Sequence, residues 1–565
     1  MKLAEKKELI KASLSQEEPD LVLKYADIVD VFTESVYTAD IAVKNGYIAG
    51  IGAYRGAHEI NMTGKLVAPG FIDAHVHIES SMVSPSVFAR KVLPFGTTTV
   101  IADPHEIANV AGIDGIKYIM EDSEHCGINA YFVLPSCVPL NEFDHNGGVI
   151  GVHEMKELVH DPRIVGLGEV MNYEAVLAGN TEILEKIEQL SGKTIDGHSP
   201  GLTGKKLQAY RAAGVETDHE CYDYPSALER LRSGFIVQIR EGSAARNLTD
   251  ILTGALRDGI SLDHCVFCTD DVHLADVAAH GHINHNIKMA IDLGLDPIKA
   301  IKLATLNPAR AYGLKDLGAV APGCRADFVI LDRLEDLSII DVYKDGVSVS
   351  GRRPFARGAA AGEKLTHSVR IPPLPEHCLD VRVHGEFPVI EIVPGQIVTH
   401  HLKMLLPNRG GLFTPQNDLL KIAVIQRHDG SGRMGQGVAK GFGLRNGAIA
   451  STVAHDAHNL IVIGDNDRDM LTAVEELKSC GGGYTVVSGG RAVETLALPV
   501  AGLFTDNTEI DMICELNDMA IAAHDMGVPA NIDVFQNLSF MSLPVIPELR
   551  ITDSGLFDVR ENKFI

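Results

Sequence analysis

A pair of histidines, His75 and His77, closes an apolar run with the sequence FIDAHVH. In a β-strand, side chains two residues apart point to the same face, so both imidazoles could bind one metal ion. A His-x-His pair alone is weak support for a metal site. Its weight depends on where the other candidate ligands fall.

Four more side chains of metal-binding type follow other apolar runs of the sequence. They are Glu169 in GLGEV, His198 in DGHSP, His219 in TDHE and Asp270 in CTDD. Nitrogen and oxygen ligands of this kind suit Mn, Fe or Zn. Six ligands exceed what one catalytic ion with an open position usually takes, so the set predicts two divalent ions bridged by Glu169.

These candidates belong to a series of eight short apolar runs between residues 69 and 314, separated by helical patterns. The runs are FIDAHVH, TTTVIADPHE, NAYFVLPS, RIVGLGEV, KTIDGHS, GVETDHE, FIVQIREGS and HCVFCTDD. Eight buried strands alternating with helices over about 240 residues are typical of a parallel (β/α)₈ barrel. Enzymes with this fold build their active sites at the C-terminal ends of the strands, where all six candidates fall.

The segments on either side of the barrel predict two more domains. Residues 1–68 join a charged leader to alternating strand patterns, and residues 315–371 return to such patterns. These two parts predict one discontinuous β-sandwich domain. A proline-rich stretch then opens a C-terminal α/β domain over residues 372–565. The predicted fold class is therefore α/β, a TIM-type barrel of residues 69–314 with a small β-sandwich and an added C-terminal domain.

Further polar residues follow the second and seventh runs. Asp103, His105 and Glu106 in ADPHE are candidates for proton transfer, extra metal coordination or substrate contact. Arg240 and Glu241 close the seventh run and are candidates for binding a polar substrate. All five would share the C-terminal face of the barrel with the metal ligands.

Asp270 is a candidate for proton transfer as well as for metal binding. Two cations would hold water as hydroxide at neutral pH, and an adjacent carboxylate could accept its proton and return it to the leaving group. The neighbouring Asp271 carries the same side chain. The sequence leaves open which of the two faces the metal.

The composition limits the partners of the chain. It has 565 residues, with 75 acidic against 50 basic side chains and a formal net charge of −25, which argues against nucleic acid or anionic membrane as a partner. No stretch approaches the ~20 apolar residues of a membrane span, and the N-terminus lacks the apolar core of a signal peptide. An odd number of cysteines, nine, does not suggest a disulfide framework. We therefore expect a cytoplasmic protein.

Taken in order, several motifs resemble those of the adenine deaminases of the amidohydrolase superfamily. They are PGFIDAHVHIESSM, FGTTTVIADPHEIANVAG, GLGEVMN, DGHSPG, ETDHE and CTDD. The resemblance extends along almost the whole chain. It implies hydrolytic deamination of adenine to hypoxanthine and ammonia, for purine salvage, by a metal-bound hydroxide at a binuclear site. An enzyme of this type is expected to form a homo-oligomer, a dimer or larger.

The resemblance also implies a division of the ligands between two divalent ions per chain, with Mn or Fe expected first and Zn as the alternative. One ion would be held by His75 and His77, the other by His198 and His219. Glu169 would bridge the ions, and Asp270 would bind metal and move a proton. Many relatives bridge with a carboxylated lysine, whereas the run IVGLGEV contains no lysine.

Three other interpretations compete with this one. The first is another amidohydrolase that opens a cyclic amide, and the second is a non-catalytic scaffold that keeps the amidohydrolase fold. The third is a cytidine-type zinc deaminase, because His77 and Glu79 fit His-x-Glu while Cys265 and Cys268 fit Cys-x-x-Cys. The proline expected before the first of those cysteines is missing, which argues against it.

The C-terminal region holds a second histidine pair, His455 and His458, three residues apart. Helical spacing of this kind can bring two side chains together. A second metal site is one interpretation of the pair, and a structural or pocket-closing role is the other.

Overall fold

A computed structural model of the protein describes residues 1–141, 143, 145–243, 245–350, 358–508 and 510–565. The chain forms two compact units. The first comprises Met1–Pro104, Ile119–Ser136 and Gly151–Ala359, and the second comprises His105–Tyr118, Cys137–Ile150 and Ala360–Ile565. The four domain ranges expected from the sequence remain predictions, and residues 351–357 of the range 315–371 lie outside the described residues.

The first unit contains eight parallel strands that coincide with the eight apolar runs. In chain order these barrel strands are Phe71–His77, Thr97–Ala102, Asn129–Leu134, Ile164–Val170, Thr194–Gly197, Thr217–Asp218, Ile236–Arg240 and Cys265–Cys268. Every residue of the first, second and fourth strands is buried. Burial on both faces is what covering helices impose on a parallel sheet, and it explains why the runs are continuously apolar. The predicted fold class is confirmed.

Hydrogen bonds and packing close the eight strands into a barrel. The first five pair in parallel in chain order, and so do the last three. The fifth strand approaches the sixth where the N–H of Glu216 donates to the carbonyl oxygen of Ile195 at 2.8 Å. The eighth strand lies beside the first, and the two-residue strand Asp270–Asp271 pairs with Val76 and His77. The C-terminal ends of the strands therefore meet on one face.

Helices of the first unit follow the strands around the barrel. They are Pro85–Val92, Val152–Met155, Tyr173–Leu177, Thr181–Gln189, Gly204–Ala212, Tyr224–Arg232, Leu248–Asp258, Leu274–His280, Ile283–Asp292, Pro297–Leu303 and Leu306–Ala311, with short 3₁₀ turns at Ile78–Ser81 and Leu93–Phe95. The helix Ile113–Ser123 is divided between the two units. The charged leader forms a further helix, Leu3–Ser13, which the sequence reasoning did not predict.

The strand patterns before and after the barrel join in one sheet of the first unit. Its strands are Leu21–Asp30, Ser35–Lys44, Tyr47–Gly52, His58–Asn61, Leu66–Pro69, Phe328–Leu331, Ile339–Lys344 and Val347–Ser348. The two parts of the chain meet where Phe328 pairs with Pro69. Asn45 and Gly46 form the turn between the strands Ser35–Lys44 and Tyr47–Gly52, and both have positive φ, 51° and 77°, as a tight β-hairpin requires.

The second unit is built on a mixed eight-stranded sheet with helices against it. The strands of this sheet are Glu386–Ile392, Thr399–Leu405, Leu419–Ile425, Met434–Lys440, Ala448–Ser451, Leu460–Gly464, Gly483–Ser488 and Arg491–Ala497. The smaller strands are Asn408–Arg409, Leu412–Phe413, Leu549–Thr552, Gly555–Asp558 and Lys563–Phe564. Its helices are His105–Ala111, Glu363–Thr366, Asp467–Cys480, Met512–Asp525 and Val534–Phe540. None of the helices in the described part of the chain has the length and apolar character needed to cross a membrane.

Candidate metal centre

The first histidine pair lies at the end of the first barrel strand. His75 and His77 are 0% and 3% exposed, and their Nε2 atoms are 3.2 Å apart. The Nδ1 atom of His77 lies 3.1 Å from the carbonyl oxygen of Asp103. Because a carbonyl oxygen only accepts, Nδ1 carries the proton and neutral His77 keeps a lone pair on Nε2. Metal-binding histidines have this tautomer when their second nitrogen donates to the protein.

Glu169, in the fourth barrel strand, lies between this pair and a second one. Its Oε1 is 3.3 Å from Nε2 of His77. Its Oε2 is 2.6 Å from Nδ1 of His198 and 3.2 Å from Nε2 of His219, and those two nitrogens are 3.2 Å apart. Each carboxylate oxygen therefore faces a different histidine pair, which is the arrangement of a bridging ligand.

These donors fit a cation shared among them. In its neutral form, His77 would direct a lone pair on Nε2 at oxygens of Glu169 and Asp270, 3.3 and 3.0 Å away. Acceptors facing one another in a buried site repel unless a cation lies between them. The ligand atoms of His75, His77 and Glu169 lie within 4.8 Å of one another, and so do those of Glu169, His198 and His219. The residues thus provide two groups of donors that share one carboxylate.

Asp270 directs one oxygen at this centre and the other at a cation of the protein. Its Oδ1 is 3.0 Å from Nε2 of His77 and 3.7 Å from Nε2 of His75. Its Oδ2 is 2.5 Å from Nη1 of Arg240. The backbone of Asp270 has a φ of 62°, a left-handed conformation that non-glycine residues adopt mainly at turns and functional sites.

The neighbouring aspartate has a different partner. Asp271 accepts a hydrogen bond of 2.5 Å from the hydroxyl of Ser80. Of the two aspartates, Asp270 makes the short contacts with the histidines. The geometry therefore favours Asp270 as the residue that faces the metal.

Arg240 lies between two carboxylates. Its Nη1 donates to Asp270 and, at 2.6 Å, to Oε1 of Glu220. Glu220 also lies 3.6 Å from Nε2 of His219. Sequence reasoning did not include Glu220. This residue lies beyond the sixth strand, which ends at Asp218, so strand alternation does not give the direction of its side chain.

The charged neighbours of Glu169 and Asp270 determine the pKa values of these two carboxyl groups. Burial alone would raise the pKa of Glu169, but positive charge on the His198 ring beside it holds the pKa well below its usual value. Burial would likewise raise the pKa of Asp270, but the guanidinium of Arg240 lowers it well below its usual value. Both carboxylates are therefore ionised and available as anionic ligands at neutral pH.

The residues of ADPHE are divided between the two units. Asp103 belongs to the first unit, where its Oδ2 accepts the backbone N–H of Glu169 at 3.1 Å. His105 and Glu106 belong to the second unit, where Nε2 of His105 is 3.5 Å from Oε1 of Glu106. The structure therefore gives Asp103 a contact with the bridging residue, while the catalytic roles of all three remain predictions.

Glu106 lies against the second histidine pair of the sequence. Its Oε1 is 2.7 Å from Nδ1 of His455, and its Oε2 contacts Nε2 of His458. The Nδ1 atom of His458 accepts the backbone N–H of Ala454 at 3.1 Å, so Nε2 of a neutral His458 carries the proton and donates to Glu106. This tautomer is opposite to that of His77. The geometry therefore favours a hydrogen-bonded carboxylate here over a second metal site.

Two other predictions concern residues outside these contacts. The carboxylate of Glu241 lies 3.7 Å from Nε of Arg246. The ion pair described for Glu241 is therefore with an arginine and not with the proposed metal ligands. Cys265 and Cys268 are buried within the eighth barrel strand and are unbridged. Burial raises the pKa of Cys265 to about 12, which does not suit a zinc thiolate. The cytidine-type interpretation therefore finds no support in this strand.

A closed parallel barrel whose strand ends gather four histidines and two carboxylates is the architecture of a metal-dependent amidohydrolase. The chain matches the amidohydrolase family over residues 66–349 and the adenine deaminase C-terminal domain over residues 396–563. It is 45% identical over 560 residues to an adenine deaminase of Desulfitobacterium hafniense, covering 99% of this chain and 98% of that protein. It is 44% identical over 558 residues to adenine deaminase 2 of Carboxydothermus hydrogenoformans, covering 98% of each. The chain belongs to the adenine deaminase family.

Proposed function

We propose that this protein hydrolyses adenine to hypoxanthine and ammonia. The observation that carries the proposal is the position of Glu169, whose two oxygens face different histidine pairs. Relatives 42–45% identical over nearly the whole chain bear the name adenine deaminase. The absence of a lysine from the fourth barrel strand, IVGLGEV, agrees with a glutamate bridge.

The centre would hold two divalent ions per chain, with Mn or Fe expected ahead of Zn. His75 and His77 would bind one ion, and His198 and His219 the other. Glu169 would bind both, and Asp270 would complete the first. Bound divalent ions lower the pKa of water enough to make it a nucleophile near neutral pH.

The residues of the chain would supply positioning and proton transfer. Oδ1 of Asp270 faces the histidines, so it can accept a proton from water and deliver it to the amino group that leaves C6. Water contributes the oxygen that replaces nitrogen at C6, and ammonia departs with the transferred proton. Arg240 holds Oδ2 of Asp270, which fixes the orientation of Oδ1 during the transfer.

Glu106, His105 and Asp103 remain candidates for proton transfer. Glu106, Arg240 and Glu241 remain candidates for contacts with the purine. The contacts of Arg240 with two carboxylates support a positioning role for that residue. We further propose that the enzyme works in purine salvage in the cytoplasm as a homo-oligomer.

A substrate panel on metal-reconstituted protein tests this proposal. We expect ammonia from adenine, little from adenosine, and no ring opening of dihydroorotate. Ring opening without ammonia from adenine would favour the cyclic amide hydrolase. No turnover of any substrate by protein that binds fewer than one ion per chain would favour the scaffold.

The substitution Glu220→Gln tests the position of Arg240. We expect kcat to fall about 10-fold, because losing one charged hydrogen bond of about 1.5 kcal/mol leaves Arg240 less firmly held. Metal content should stay unchanged, since Glu220 is not among the proposed ligands. Steady-state kinetics and metal analysis check both expectations.

Glu229→Gln is the matched control, because Glu229 accepts the N–H of Gly204 and makes no described contact with the centre. It should keep wild-type kcat. An unchanged kcat in Glu220→Gln would show that Arg240 needs no second carboxylate.

A further inference from the structure

A fully buried arginine, Arg230, lies in the helix Tyr224–Arg232 that follows the sixth barrel strand. The residue is 1% exposed, and its carboxylate partner Asp218 is 0% exposed. Burying a charged pair costs desolvation energy that only good geometry and further hydrogen bonds recover. The proposed reaction does not use either residue, so the pair calls for another role.

The guanidinium of Arg230 contacts two residues, each adjacent in sequence to a proposed metal ligand, His198 or His219. Nε of Arg230 donates to Oδ2 of Asp218 at 2.7 Å, and Asp218 immediately precedes His219. Nη2 donates to the carbonyl oxygen of Ser199 at 2.6 Å and lies 3.2 Å from its hydroxyl. Ser199 immediately follows His198. The arginine therefore links the ends of the fifth and sixth barrel strands.

Asp218 extends this link to the backbone on both sides. Its Oδ1 accepts the N–H of Glu220 at 2.9 Å and that of Ser199 at 3.4 Å. Its Oδ2 also accepts the hydroxyl of Ser199. The main chain on either side of His219 and just after His198 is thus tied to one buried ion pair.

The strands themselves provide little of this positioning. The sixth barrel strand is two residues long, Thr217–Asp218, and within the described part of the chain it pairs in register only with the seventh strand. The fifth strand ends at Gly197, one residue before His198. Both histidines therefore lie beyond the regular sheet, where another device must fix the 3.2 Å separation of their nitrogens.

We propose that Arg230 is a positioning residue for His198 and His219. Its network with Asp218 and Ser199 sets the affinity of these two histidines for a divalent ion. The inference rests on the proposed function, because it assumes that His198 and His219 bind metal. Arginine suits this role because its planar fork donates in two fixed directions, to Asp218 and to Ser199. A lysine offers a compact ammonium on a flexible stem, so its donors are not fixed in these two directions.

The proposal is tested by titrating the metal-free full-length Arg230→Lys variant with Mn²⁺. Free Mn²⁺ is followed by electron paramagnetic resonance. Loss of an outer-shell contact weakens metal binding about 10- to 100-fold, so we expect this loss for one of the two ions. The other ion should bind as in the wild type. Activity of Arg230→Lys should be low at limiting Mn²⁺ and recover at saturating Mn²⁺, which a loss of folded protein would not produce.

Arg550→Lys is the matched control. Arg550 is also buried, but it donates to the backbone carbonyl oxygens of Ile546, Phe540 and Ile397 in the second unit. It should lower thermal stability without changing either Mn²⁺ affinity. If Arg230→Lys does not fold, Ser199→Ala is the second variant, because it keeps the charges of Arg230 and Asp218. It should lower the affinity for one of the two ions by about 10-fold.

The outcomes separate the two claims. Uptake of two Mn²⁺ by the wild type, with unchanged affinities in folded Arg230→Lys or in Ser199→Ala, would overturn the positioning role alone. Fewer than two Mn²⁺ in the wild type would overturn the proposed binuclear centre, and the positioning role with it.

Discussion

Replacement of Glu169 by glutamine should reduce adenine turnover by at least about 10³-fold, because the metals supply several kcal/mol of transition-state stabilisation. The amide keeps the size of the side chain but loses the charge and one oxygen acceptor. With a single oxygen it cannot serve both histidine pairs. We therefore expect metal uptake to fall from two ions per chain to at most one, measured by metal analysis beside kcat/KM for adenine.

Glu216→Gln is a suitable control for this substitution. Glu216 precedes the sixth barrel strand, and its described charged neighbours, Arg211 and Asp196, are not proposed ligands. It should retain two ions per chain and wild-type kcat/KM. Two tightly bound ions with near-normal turnover in Glu169→Gln would be incompatible with a glutamate-bridged pair.

Replacement of Asp270 by asparagine should reduce kcat by about 10³-fold, within the range expected when a general acid–base group is lost. The substitution removes the group that accepts and returns a proton. It also leaves Arg240 facing a neutral amide instead of the carboxylate oxygen now 2.5 Å away. Steady-state kinetics at saturating Mn²⁺ should reveal the loss even where both ions are bound.

The adjacent residue provides the matched comparison. Asp271→Asn changes the same functional group, but Asp271 bonds to the hydroxyl of Ser80. We expect kcat to change less than about 10-fold, the effect of one weakened hydrogen bond. A larger loss for Asp271→Asn than for Asp270→Asn would reverse the assignment of the two aspartates.

The barrel could be predicted from sequence because its strands are buried on both faces and therefore continuously apolar. His75 and His77 could be placed on one face from the strand period alone, and the structure brings their nitrogens to 3.2 Å. Glu169 could be added because the C-terminal ends of parallel strands meet on one face of a barrel. Local pattern and fold class were sufficient for these residues.

Other contacts depend on tertiary structure that no local pattern carries. Glu106 and His458 lie 352 residues apart in the chain, so nothing in either motif indicated their contact. Arg230 occupies a helix that also carries Glu229 and Arg232, and its burial beside Asp218 is a tertiary contact that the helix pattern does not indicate. Glu220 lies beyond the end of a two-residue strand, where strand alternation no longer gives the direction of a side chain.

The most direct test of a Glu169-bridged centre is the initial rate of ammonia release from adenine by metal-free protein given increasing equivalents of Mn²⁺. A Glu169-bridged centre predicts that the rate rises until two equivalents per chain are bound and then levels off. A rate that is maximal at one equivalent would contradict the bridged pair. Absence of ammonia at every loading of Mn²⁺ or Fe²⁺ would contradict adenine deamination itself.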